Sequence, residues 1–141
     1  MEFLSSIAAI NKLFDLGNRV NATLTKDKAP FNLAIAQILG KLADCHEELV
    51  ENYQNAHEVD KTAYARATIY SAYAVGLLAE IDDKERLPIR VIMSAWESLA
   101  DSKQTHSQDA IDAFLVSAHR TVGMMRAWAD CTQVIGDSFK N

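Results

Sequence analysis

A chain of 141 residues with 49% hydrophobic and 23% charged side chains has room for one domain around its own core, without help from disulfides or metals, and is too apolar to stay disordered. Its net charge of −5, with Lys and Arg scattered from Lys12 to Lys140, leaves no basic footprint for a phosphate backbone, which argues against direct nucleic-acid binding. Five Gly and two Pro leave little material for turns and favour a few long elements, for which helices are the natural candidate.

The chain opens Met1-Glu2, with no positively charged stretch before its first apolar residues and with Ser5 and Ser6 interrupting them. No secretory signal is therefore expected, and the cytoplasm is the expected location. Over residues 2–24, Phe3, Ile7, Ile10 and Phe14, then Leu13, Leu16, Val20 and Leu24, recur at the spacings of an amphipathic helix. TKDKAP ends it, and Pro30 suits the first turn of a second helix, where its missing N–H is harmless. That helix is expected over 30–57, with Ile35, Ile38, Leu42, Cys45 and Leu49 as its core stripe. Val59, Asp60 and Tyr64 then fit an N′, N-cap and N4 arrangement that starts a third helix over 60–81. No Gly or Pro enforces the break, so one continuous helix over 30–81 stays open.

Residues 61–81, KTAYARATIYSAYAVGLLAEI, carry only three charged side chains and are apolar around most of the circumference, the pattern of a central helix. Their apolar run AYAVGLLA falls far short of the ~20 residues that cross a bilayer, so no membrane span is expected. After IDDKERLP, Pro88 opens a short helix over 88–101 that turns Ile92, Trp96 and Leu99 inward. DSKQTHSQ ends either in a capping box of Thr105 with Gln108 or in a Ser107 cap. The last helix follows over 106–137, striped by Ile111, Phe114, Ala118, Val122, Met125, Ala129 and Thr132. The expected fold class is all-α: residues 1–141 as a single domain, an antiparallel bundle of about five helices with short loops and neighbours in chain order.

Chemistry would first be sought in DCHEELVENYQNAHEVD, Asp44 to Asp60, which holds one cysteine, two histidines and six carboxylates without a Lys or Arg. His46 and His57 share a helix face on the flank of the core stripe, but their spacing separates them by roughly 16 Å along the axis, whereas the ligands of one zinc lie about 2 Å from it. No Glu-x-x-His and no H-x-x-x-H occurs, so no metal site is expected. The Gly stand far apart at 17, 40, 76, 123 and 136, and neither a nucleophile elbow nor a phosphate-cradling loop is present. Cys45 and Cys131 lack C-x-x-C spacing and read as reduced, buried thiols, although a Cys–His pair using His106 or His119 could assemble between helices. No cofactor and no enzymatic activity are expected.

What the stretch does carry is charge geometry. Asp44, Glu48, Glu51 and Glu58 form a polar stripe opposite the core, flanked by Glu47. It is either an ordinary solvated face or an acidic docking surface, because carboxylates without a counter-charge repel one another and are relieved by a basic partner. A second constellation is Arg66, Tyr70 and Tyr73, in line with Leu77. It reads either as Arg66 snorkelling beside core tyrosines or as a small-molecule pocket or protein contact built from residue types enriched at hot spots. On the last helix His119, Gly123, Arg126 and Asp130 share a line with Asp112 that reads as the wet side of the bundle, and Met124, Met125 and Trp128 have the spacings of ordinary packing.

The N-terminal third, LSSIAAINKLFDLGNRV followed by LAIAQILGKLADCHEELVE, resembles small helical proteins encoded by bacteriophages over about residues 4–51. The resemblance rests on an Ala/Leu/Ile helical pattern, does not continue into the Tyr-rich 61–81 segment, and carries over no functional residue. It implies a host-interaction or anti-defence accessory protein. The expected function is then a non-enzymatic interaction protein, of an inhibitor or immunity kind, that meets a basic protein surface through Asp44, Glu47, Glu48, Glu51 and Glu58. The alternatives are a homo-oligomeric structural or assembly protein that uses the 61–81 segment as a self-contact, and a small-molecule binder or enzyme whose pocket uses Arg66, Tyr70 and Tyr73.

Overall fold

The structure, a computed structural model, describes residues 29–79, 87–101 and 104–138, and these form four α-helices with no strand among them. The helices are α1 (Ala29–Ala56), α2 (Lys61–Ala79), α3 (Leu87–Ala100) and α4 (Gln108–Ser138), so the fold class is all-α. The helix expected over 2–24 lies outside the described residues.

Local chemistry sets the boundaries. α1 ends where His57 takes a φ of 57°, in the left-handed region, while its N–H donates to the Tyr53 carbonyl at 2.9 Å. A residue in that conformation stops a helix. Asp60 then caps α2, its Oδ1 accepting from the Ala63 N–H at 2.8 Å, and Val59 and Tyr64 pack half-buried against the core on either side of the cap. The continuous 30–81 helix does not form: a left-handed His57 and a carboxylate cap make the break without Gly or Pro. α4 starts at Ser107, whose Oγ accepts from the Ala110 N–H at 3.2 Å, so of the two caps open in the sequence the serine is used.

α1 is the hub. It packs most extensively on α4 and next on α2, whereas α2 touches α3 more lightly, so neighbours in space do not simply follow chain order. Flanked on two sides, α1 buries a wider arc than its expected stripe. Ile35, Leu42, Cys45 and Leu49 are buried as expected, and Leu39, Ala43, His46 and Val50 join them. α4 contributes Phe114, Ala118, Val122, Met125 and Ala129. Trp96 of α3 meets Phe114 edge-on with ring centroids 4.9 Å apart, which joins α3 to α4 through the core.

The central position expected for α2 is not found: Ile69 and Tyr73 are 57% and 64% exposed. With apolar residues on every side, no face of α2 is singled out for burial. It lies on its neighbours through the small side chains Ala63, Ala67 and Ala74 and leaves larger ones outside. Among the described residues no helix is long and apolar enough to cross a membrane.

Candidate functional site

α1 turns Asp44, Glu48 and Glu51 to solvent, with Glu47 half-buried beside them and Glu58 exposed in the turn that follows. Cations arrive from both neighbouring helices. Arg66 of α2 donates to Glu48, and Arg126 of α4 donates to Asp44 at 2.9 Å and to Glu47. The expectation of carboxylates without counter-charge is therefore corrected for these three; their partners lie 18 and about 80 residues away in the chain and come into place only on folding. Glu51 and Glu58 form no ion pair among the described residues. The hydrogen bond from Arg126, reinforced by its charge, holds the Glu47 carboxyl below its ordinary range against an opposing desolvation, and the contacts with Glu47 and Asp44 raise the guanidinium further. Arg126 stood in the sequence on a mixed-charge line of its own helix, and nothing there named α1 as its target.

The side chains of Arg66, Tyr70 and Tyr73 are placed in three different ways. Arg66 is engaged by Glu48, Tyr70 is half-buried against the core, and Tyr73 stands outward. Together with Ala65, Ile69, Ala72 and Gly76, all exposed, Tyr73 forms an apolar outer face on α2.

His46 is not on the flank of the core stripe as its position suggested but fully buried, at 1% exposure. Its Nδ1 accepts from the Trp96 indole N–H at 3.1 Å, which places the imidazole proton on Nε2, and Nε2 has no hydrogen-bond partner. Burial lowers its pKa to about 4. His57 is exposed at the end of α1, so the two histidines occupy different environments as well as different turns. Of the thiols, Cys45 is buried and Cys131 exposed, which corrects the expectation that both are interior. Burial pushes the Cys45 thiol up, against an opposing pull from Arg66.

Among the described residues one serine–histidine hydrogen bond is found. Ser98 Oγ lies 2.5 Å from Gln104 Oε1 and 3.1 Å from His106 Nε2. An amide oxygen only accepts, so the serine proton goes to Gln104 and His106 presents Nε2–H to Oγ. An imidazole set as donor does not take the serine proton; the cluster instead ties the end of α3 to the approach to α4. Among the described residues no three of His, Cys, Asp and Glu converge as metal ligands. No protein-family model, curated protein or solved structure matches this chain.

Proposed function

We propose that the chain is a non-enzymatic interaction protein, of the inhibitor or immunity kind, that docks a basic protein surface on the outward stripe of α1. The observation that carries this reading is that Glu51 and Glu58 are exposed and form no ion pair among the described residues, while both flanking arginines are committed to Asp44, Glu47 and Glu48. Five carboxylates set against two guanidiniums leave a net charge of −3 on the stripe, bounded at its ends by Lys41 and Lys61. Such a field steers and aligns a basic partner. The setting inferred for it is an antiparallel five-helix bundle in the cytoplasm, with residues 2–24 as the fifth helix. The test is titration calorimetry with a partner captured from the native host. Glu51→Lys combined with Glu58→Lys weakens binding by about tenfold or more without lowering the thermal unfolding midpoint, and added salt reproduces the loss. Equal affinity of the reversed protein removes the electrostatic reading.

A second reading, a homo-oligomeric assembly protein, is favoured by the apolar outer face of α2 around Ile69 and Tyr73. Sedimentation equilibrium separates the two: an oligomer that Ile69→Lys converts to monomer supports self-association, and a monomer at high concentration removes it.

A further inference from the structure

Tyr64, Ser71 and Val75 lie on a face of α2 distinct from the Arg66–Ile69–Tyr73 line, and that face looks onto α3. Because α2 and α3 touch only lightly, a cleft of about 450 Å³ remains between them. Its α3 wall includes Arg90, Met93 and Glu97.

Three features of the cleft have no use within the fold. Ser71 lines it at 6% exposure, and its Oγ has no hydrogen-bond partner. A helical hydroxyl commonly returns to the carbonyl one turn back, as Thr68 does to the Tyr64 carbonyl at 2.9 Å. Ser71 makes no such bond, and its Oγ is itself closed off from solvent. Arg90 and Glu97 are exposed, neither forms an ion pair among the described residues, and seven residues of helix hold them roughly 10 Å apart along the axis, too far to neutralise each other. Between the two charges the walls carry the apolar Val75 and Met93 together with Ser94. Tyr64 stands at the Glu97 end: burial raises its phenol pKa and the Glu97 charge raises it further.

We propose that this cleft binds a short zwitterionic peptide of about three residues, its carboxylate on Arg90 and its ammonium on Glu97 beside the Tyr64 ring. The length follows from the charges, since an extended chain advances ~3.3–3.6 Å per residue and three residues match the two helical turns between Arg90 and Glu97. A simple anion is disfavoured by Glu97 and a simple cation by Arg90, so the pair selects a molecule that carries both charges. The size of the cleft fits a small ligand more than a folded domain.

The site shares no residue with the acidic stripe of α1, so its failure leaves that reading standing. The experiment is an NMR titration of the full chain with trialanine and trileucine, each also in N-acetylated, C-amidated and doubly blocked forms. Free tripeptides shift the resonances of Ser71, Arg90 and Glu97, and blocking either end weakens binding by about tenfold. Arg90→Gln abolishes the preference for a free carboxylate, and Glu97→Gln abolishes the preference for a free amine, both in proteins with unchanged melting curves. No shift at these residues with either tripeptide at millimolar concentration, or equal binding of the doubly blocked forms, overturns the proposal.

Discussion

α1 and α2 follow one another across a tight turn, yet one is the hub of the core and the other lies half outside it. α1 combines a broad apolar arc with a charged stripe, so burial can orient it in one way only. α2 is the more uniformly apolar, and several orientations bury comparable area; the choice falls to where small side chains allow close approach, at Ala63, Ala67 and Ala74. Asymmetry of the pattern, more than total hydrophobicity, decides which helix is enclosed.

The largest effects are expected where the contents of the hub are cut. Trp96→Ala removes a fully buried ring that packs on Phe114 and donates to His46, and it should destabilise the fold by about 3–5 kcal/mol in urea denaturation. Leu42→Ala, on the inner arc of α1, should cost about 2–5 kcal/mol. A loss below about 1 kcal/mol for either would mean that α1 is not the hub.

His46 makes the same interior sensitive to acid. Its folded pKa of about 4 lies below the ordinary 6.5 because burial disfavours the imidazolium. The neutral imidazole therefore contributes fully above pH 6.5, and that contribution is lost as pH falls toward and through about 4. The whole shift corresponds to about 3 kcal/mol. Glu47, held low by Arg126, adds a loss that begins only below its ordinary 4.5. Urea midpoints measured from pH 7 down to pH 4 should fall, and His46→Gln, which keeps an acceptor for the Trp96 N–H, should remove most of that slope. An unchanged slope would place its source outside the hub.

Much of the hub was legible in the sequence, because periodicity reports which side of a helix is apolar. The Ile35–Leu49 stripe, the Asp60 cap and the Phe114–Ala129 stripe were all readable for that reason. Periodicity does not report what an apolar or polar side meets. His46 read as a flank residue because one helix covers one arc, and it is buried because α1 is covered by two neighbours and by Trp96. The acidic residues Asp44, Glu47 and Glu48 were visible, but not the arginines that neutralise them, since Arg66 and Arg126 are brought there by packing. The cleft between α2 and α3 was illegible for the same reason: Ser71, Arg90 and Glu97 stand on two helices and share no local pattern.

Those two arginines offer a finer contrast between the sides of α1. Arg126 holds two carboxylates and Arg66 holds one, and all of these groups are more than a third exposed, so solvent screens both clusters. Arg126→Ala should cost about 1 kcal/mol and Arg66→Ala about 0.5 kcal/mol or less, with both losses shrinking in high salt. Double-mutant cycles with Glu47→Ala and Glu48→Ala measure the pair energies, and the reverse order would make the α2 side of the hub the tighter one.

The smallest expected effect bears most directly on the contrast between α1 and α2. Ile69→Ala and Tyr73→Ala should each change stability by no more than about 0.5 kcal/mol, because most of each side chain already meets water and Ala has the better helix propensity. Set beside Leu42→Ala, the two helices would then differ several-fold in what an apolar side chain is worth. A loss of about 2 kcal/mol at Ile69 or Tyr73 would instead mean that something covers them in solution. If that loss grows with protein concentration, the cover is a second copy of the chain.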